Sequence, residues 1–366
     1  MSASKVYDSL IIGGGPGGLS VALGLGRQNR SCLVISHKHF RNDGIEASHA
    51  VLGHDHVHPQ IILSRARDQI ARYQNTSYAL AEIISAQKVA LPQWRGHEGF
   101  KIESREGETW YGKTLALATG VRDLFPSLEG YRENWPRNIY QCLFCDGWER
   151  RRSEKAVLCY PELKMQDVKM ASMALGQDTT KNKNGTAKVT ILTNGPYKSD
   201  KVDPALAKQL KAVMARGVKL DQRRVIRLED TTKENEGLYV HLRDHETGEM
   251  EKVFFAFLVH KPNTQLNARN LIEQLGLEIT PGMFGDIIET KPMMPATNVP
   301  GVYIAGDAGN VLTHVTTALS TGIGAAGGIV HYLNEKDDED ALESIGQGGI
   351  PDNRKQIDGT GCSTDT

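Results

Sequence analysis

Apolar residues in this chain come as short continuous runs that close on glycine, alternating with longer stretches that recur at helical spacing. Residues 6–12 form the first run, ending in Leu10, Ile11 and Ile12, and predict a strand buried on both faces. Leu19, Val21, Ala22, Leu23 and Leu25 then predict a helix. Residues 31–35 predict a second strand. Residues 61–73 predict a helix with Ile62, Ala66, Gln69 and Ile70 inward and Arg65 and Arg67 on the wet side. Residues 78–89, with a break, 100–104 and 109–118 read as further strands. A second alternating set follows: a strand at 155–159, a helix with Met165, Val168, Ala171 and Leu175 along one side, a strand at 188–193 and a helix at 204–216. Residues 238–243 and 250–260 predict a hairpin turning at 244–248. Residues 316–333 predict a helix rich in glycine and alanine. Strands and helices that alternate in this way predict an α/β fold.

Between the first strand and helix lies Gly13-Gly14-Gly15-Pro16-Gly17-Gly18. Gly13, Gly15 and Gly18 fit G-x-G-x-x-G. The first allows a tight turn, the second lets the backbone approach a pyrophosphate, and the third brings helix against strand. Pro16 suits the first helical turn, where its missing N–H costs nothing. The free N–H groups and positive dipole end of that helix suit the phosphates of a dinucleotide. An acid ordinarily follows the next strand and holds the ribose. Ser36-His37-Lys38-His39 stands there instead, so Ser36 or His37, or backbone and water, take that task.

Residues 42–59 form a polar stretch with His49, His54, His56 and His58. Alternating histidines on a strand would share a face and could ligate a metal. A polar loop lining a cleft is the preferred reading, and no metal site is assigned. Cys142 and Cys145 sit in Gln141-Cys142-Leu143-Phe144-Cys145-Asp146-Gly147. One helical turn brings their sulfurs within bonding reach, so the pair can cycle between dithiol and disulfide. A four-cysteine zinc site needs a second pair, and Cys32, Cys159 and Cys362 stand alone. Two ordinary buried thiols remain the plain alternative.

The 366 residues suffice for two domains. A formal net charge of -1 makes no electrostatic case for nucleic acid or an anionic membrane. Five cysteines, an odd number in a long chain, do not make a disulfide scaffold. No apolar run approaches the ~20 residues of a membrane span, and residues 1–6 lack the apolar core of a signal peptide. A cytoplasmic protein is expected. Residues 345–366 have little to bury and are expected to be disordered.

The strand at 109–118 closes on Ala118-Thr119-Gly120, and Gly301-Val302-Tyr303-Ile304-Ala305-Gly306-Asp307 lies near the other end. With the glycine turn and the cysteine pair, these residues resemble the low-molecular-weight thioredoxin reductase family over residues 5–335. The resemblance implies two Rossmann-like three-layer α/β domains. A discontinuous FAD domain, 1–120 and 290–335, would be interrupted by an NADPH-domain-like module at 121–289 that carries the cysteines, with 292–298 as the return linker. FAD is the implied cofactor and a homodimer the implied assembly. Thr119 and Gly120 would lie where the chain leaves the FAD domain. Asp307, after Gly306, would meet the flavin's ribityl chain, and the start of the last helix, Ala318 included, would sit on the flavin ring. Cys145 would face the flavin and Cys142 the substrate. Asp146 would manage protons at the pair, unless it is a helix-start acid satisfying backbone N–H groups.

The second nucleotide turn departs from that family. After residues 155–159 comes Tyr160-Pro161-Glu162-Leu163-Lys164-Met165-Gln166, without glycine. Tyr160 would oppose a pyrophosphate by size, and a buried Glu162 by charge. After residues 188–193, Asn194-Gly195-Pro196-Tyr197 lacks the arginines that hold a 2′-phosphate; Lys198 and Lys201 are weak substitutes. Residues 176–187 read as a solvated insertion. Without NADPH, electrons would enter from a dithiol, pass through the cysteines to FAD and leave to molecular oxygen. That is the pattern of fungal dithiol oxidases of the gliotoxin type. The sequence also resembles that subfamily in Phe40-Arg41-Asn42, Val51-Leu52-Gly53-His54-Asp55 and His314-Val315-Thr316-Thr317-Ala318, although some of its members carry His where Asp146 stands. The resemblance implies an FAD-dependent oxidase that closes a disulfide in a small-molecule, epipolythiodioxopiperazine-like dithiol and yields peroxide. His314 is a second candidate base. An NADPH-driven disulfide reductase and a non-catalytic flavin redox sensor are the alternatives.

Overall fold

The computed structural model describes residues 5–37, 39–177, 188–197, 203–231 and 237–345. Residues 178–187 of the expected insertion, Lys198, Lys201 and the tail after Ile345, with Cys362, lie outside the described residues.

β1 (Val6–Ile12) centres the first sheet, pairing in parallel with β2 (Cys32–Ser36) on one side and β6 (Thr109–Leu117) on the other. β3 (Thr76–Leu80) extends the parallel set beyond β2. β6 is long enough to serve two partners on its second edge. Its first half takes the antiparallel meander of β4 (Ile83–Ala90) and β5 (Glu98–Ser104); its second half takes β19 (Val302–Ile304) in parallel. The sheet is covered on both faces, which is why β1, β2 and β6 read as near-unbroken apolar runs. The period of two sorts their side chains. Ile11, Val34 and Ala116 pack with residues of α1 (Pro16–Arg27), α2 (Pro59–Ala71) and α7 (Val315–Ile345). Leu10, Ile12, Leu33, Leu115 and Leu117 pack on the other face, with Leu271 and Ile272 of α6 (Arg269–Leu275).

A second parallel sheet has the order β11 (Lys219–Asp221), β10 (Val189–Leu192), β9 (Lys155–Leu158), β15 (Phe257–Val259), β8 (Ile139–Tyr140). α4 (Met165–Gln177) and α5 (Pro204–Ala215) cover one face through Val168, Ala171, Leu210 and Val213. The other face meets α3 (Tyr131–Asn134) and an antiparallel sheet of β12 (Arg224–Asp230), β13 (Leu238–Arg243) and β14 (Met250–Phe255). The expected strand at 250–260 therefore divides. β14 is largely exposed and ends the hairpin, whereas Phe257, Leu258 and Val259 are fully buried and continue as β15 into the parallel sheet.

The chain crosses between the sheets on two adjacent strands. β7 (Val121–Leu124) leaves and β16 (Asn263–Leu266) returns antiparallel beside it. Leu266, α6 and the ribbon of β17 (Ile279–Pro281) and β18 (Asp286–Ile288) then pack in the cluster of Leu10 and Leu117. By packing, these residues go with the first sheet, where the sequence expectation held them in the inserted module up to 289. α7 also runs past its expected end at 333. Its acidic extension meets two side chains of the first unit: Asp337 lies 2.8 Å from Arg30, and Asp340 2.8 Å from His97. Among the described residues no helix is long and apolar enough to cross a membrane.

His260, just after β15, is buried, with Nδ1 2.7 Å from the Tyr131 hydroxyl. Burial pushes its pKa down to about 4 from 6.5. The folded protein keeps this ring neutral in a range where the unfolded chain already protonates it. Stability present above about pH 6.5 is therefore lost as pH falls toward 4, by roughly 3 kcal/mol. Melting temperature against pH is expected to show this slope, and His260→Gln to flatten it. An unchanged slope in the variant would assign the acid sensitivity to other groups.

Candidate active site

The glycine turn is a crossing of backbones. A Cβ at Gly18 would stand 1.9 Å from the Gly13 carbonyl oxygen, and one at Gly13, whose φ is +118°, 2.2 Å from that of Ala118. This brings the start of α1 over the ends of β1 and β6 and leaves its first N–H groups without intrahelical partners. A cavity of about 600 Å³ opens there. Gly13, Gly15, Pro16, Ser36, Thr119, Gly120, Gly306, Asp307 and Ala318 all line it, as do Cys142, Cys145, Asp146 and His314. Of the residues assigned to FAD or to catalysis from the sequence, Gly18 alone does not; it is buried behind the turn and shapes it.

The walls fit FAD. The helix start suits a pyrophosphate, and a Cβ at Gly15 would meet nothing closer than Phe40 at 3.9 Å, so the backbone there is open to approach. Thr119 Oγ1 is buried and has no hydrogen-bond partner among the described residues, on a wall otherwise tied down by Asn267, whose Nδ2 donates to the Thr119 carbonyl at 2.9 Å. A buried hydroxyl in that state calls for a ligand atom. Ser36 Oγ donates to the His37 carbonyl at 3.0 Å. Both residues line the cavity where a ribose-binding acid was expected.

Arg41 organises the middle of the site. Its Nε and Nη2 donate to Asp123 at 3.0 and 2.7 Å, Nη1 to Asp307 at 2.9 Å and Nη2 to Gln141 at 3.1 Å. One guanidinium thus joins the loop after β2, the outgoing strand β7, the Gly306-Asp307 turn and the residue before Cys142. Burial raises the Asp307 carboxyl while Arg41 pulls it down; the net direction is up. Sequence reasoning noted Arg41 only within a family pattern, because an arginine in a polar loop carries no periodic or spacing signal.

Cys142 and Cys145 form a disulfide across a turn in which the N–H groups of Cys145 and Asp146 both donate to the Cys142 carbonyl, at 3.1 and 3.0 Å. Cys142 Sγ lies 3.7 Å from His314 Nε2. The His314 carbonyl accepts the Ala318 N–H at 2.9 Å, so this histidine stands at the head of α7. His314 is thus placed to exchange a proton with Cys142 once the disulfide opens. Burial pushes the Asp146 carboxyl up to about 6, with His49 lowering and Glu149 raising it. No helix begins at Asp146, since Gly147 follows with φ +93°; the helix-start reading of this acid is corrected. Cys145 and Asp146 also border a second cavity of about 640 Å³.

The second nucleotide turn, at the end of β9, is filled. Tyr160 is half-buried, and its hydroxyl donates to the Ser127 carbonyl at 3.4 Å. Asn194 donates from Nδ2 to the Pro161 carbonyl and accepts the Val225 N–H, joining this turn to the one after β10. Glu162, expected to be the buried opposing charge, is exposed. Asp167 takes that place. It lies in the first turn of α4, accepts the Lys164 N–H at 2.8 Å and bonds the buried Cys159 thiol. Burial raises its carboxyl to about 6, and it stands at a helix start where a dinucleotide would put phosphate. Asp167 went unnoticed in the sequence because an acid in a first helical turn is ordinary.

The chain matches the family described as pyridine nucleotide-disulphide oxidoreductase over residues 7–160 and 168–322. It is 32% identical over 324 residues to thioredoxin reductase tcpT of Claviceps purpurea (strain 20.1), covering 88% of this chain and 92% of that protein. It is 31% identical over 328 residues to thioredoxin reductase sirT of Leptosphaeria maculans, covering 89% and 94%. Among solved structures, the oxidoreductase from Agrobacterium tumefaciens superposes with a TM-score of 0.76 at 26% identity, covering 90% of this chain and 99% of that one. HlmI shares the fold with a TM-score of 0.77 at 21% identity, covering 94% and 98%. The matched spans contain the glycine turn, both cysteines, Asp307 and His314, and the chain belongs to the pyridine nucleotide-disulphide oxidoreductase family, whose members are FAD-binding flavoproteins.

Proposed function

We propose that this disulfide oxidoreductase works as a dithiol oxidase, taking two electrons from a small-molecule dithiol and delivering them to molecular oxygen. The direction of flow rests on one observation: the second dinucleotide turn holds Tyr160 and the Asp167 carboxylate where a pyridine nucleotide would need glycine and free N–H groups. The natural-product dithiols implied by the sequence resemblance are the proposed substrate class, and a homodimer the proposed assembly.

A substrate thiolate attacks Cys142 Sγ, breaking the Cys142–Cys145 bond and releasing Cys145 as a thiolate. The second substrate thiol attacks the mixed disulfide, frees Cys142 and leaves as part of a disulfide. Two protons must depart from the two substrate thiols. His314, 3.7 Å from Cys142 Sγ, and Asp146 on the same cavity are placed to take them. The glycine turn, Thr119, Asp307 and the head of α7 would hold FAD, which would supply the two-electron acceptor for the reduced cysteine pair, with molecular oxygen as terminal acceptor and hydrogen peroxide as its product.

Without oxygen, a small dithiol is expected to bleach the flavin absorbance and air to restore it, while NADPH leaves it unchanged. Bleaching by NADPH would favour a reductase instead. Asp146→Asn and His314→Gln are each expected to slow dithiol-dependent oxygen uptake by about 10²–10⁴-fold. An unchanged rate in either variant would release that residue from proton transfer.

A further inference from the structure

The histidine-rich stretch takes no direct step in the chemistry above, yet the fold gives it a definite arrangement. It forms turns where a strand of alternating histidines was one sequence option. Ser48 and Val57 bridge across its base, the Ala50 N–H donates to Asp55 Oδ1 at 2.9 Å, and His56 is held at φ +59°. His58 turns away, its Nδ1 accepting the Gln60 N–H at the head of α2. His49 and His56 come together instead, with ring centroids 4.7 Å apart. Glu149, almost a hundred residues on and just past the cysteine pair, joins them, its Oε1 3.8 Å from His49 Nε2.

We propose that His49, His56 and Glu149 form a binding site for a zinc ion. Their ligand atoms all lie within 4.8 Å of one another, close enough for small rotations of two exposed side chains to bring them onto one ion. The His49 ring is largely buried, and its Nδ1 is 2.6 Å from the Cys145 carbonyl oxygen. A carbonyl can only accept, so Nδ1 carries the proton and Nε2 presents its lone pair toward the other two groups. A metal-ligating histidine is ordinarily oriented by this kind of bond. Two imidazoles and a carboxylate suit zinc and leave a fourth position open. All three residues line the second cavity, which Cys145 also borders, so that position faces a space next to the redox pair. Asp55, 3.4 Å from His56 Nε2, is the competing partner in the absence of an ion. Cys142, Cys145 and His314 also lie within ligand reach of one another, but their sulfurs are joined and offer no thiolate in the oxidised protein.

Untagged, FAD-loaded, oxidised protein is freed of metal with a chelator and titrated with Zn²⁺ by calorimetry, with bound zinc counted by elemental analysis. One ion per chain is expected. His56→Asn and Glu149→Gln are each expected to weaken it by about tenfold or more at unchanged flavin content. Absence of binding, or binding of equal affinity and stoichiometry in the double variant His56→Asn/Glu149→Gln, would overturn the site.

Discussion

Cys145→Ser is expected to stay yellow when a dithiol that bleaches the unsubstituted protein is added without oxygen, and to lose turnover by roughly a thousandfold or more. With serine at 145 there is no sulfur–sulfur bond for a substrate thiolate to attack, and acidity or binding elsewhere in the site cannot replace it. Cys142→Ser fails for the same reason. The two variants differ in what they capture. Cys142, beside His314, is the sulfur that remains in the Cys145→Ser protein. Offered the disulfide form of the substrate, it is expected to form a mixed disulfide, visible by mass spectrometry, that Cys142→Ser does not form. Capture through Cys145 alone would exchange the roles of the two sulfurs. Full turnover in either variant would remove the pair from the reaction.

Gly18→Ala is expected to yield protein with little or no flavin. The added Cβ would stand 1.9 Å from the Gly13 carbonyl oxygen, backbone against backbone, so α1 must move off β1. Overpacking of this kind costs about 1–3 kcal/mol or more, which corresponds to a loss of FAD affinity of roughly fivefold to over a hundredfold. Gly15→Ala separates this from the cofactor's own demand. Its Cβ meets no protein atom nearer than 3.9 Å, so the apoprotein should melt as before while flavin binding still falls. The ratio of flavin to protein absorbance, with the melting temperature of each apoprotein, reads both effects. A Gly18→Ala protein that retains full flavin would show that the crossing yields more easily than its geometry indicates.

Two features of the second turn show how far sequence carries. The missing glycines after β9 were legible, because a tight approach to phosphate needs residues without side chains and Tyr160-Pro161 supplies bulk. Which acid opposes a phosphate was not. Glu162 looked the better candidate by position, yet it is exposed, and Asp167 is drawn inward by the Lys164 N–H and the Cys159 thiol. The end of α7 tells a similar story. The sequence pattern ends that helix at 333, but Arg30 and His97 hold its acidic extension against the first unit.

The sequence by itself determined the buried strands β1, β2, β6, β9 and β10, the glycine turn, the one-turn cysteine pair and the loss of a second phosphate turn. Each of these is a local matter of backbone freedom, spacing or a run of side chains buried on both faces, and such matters leave their mark on neighbouring residues. The tertiary structure decided which charged and polar groups meet. Arg41 finds Asp123 across 82 residues and Asp307 across 266, and His49 finds Glu149 beside the redox pair. No local pattern records those meetings, because chain crossings set by the packing of two sheets bring the partners together.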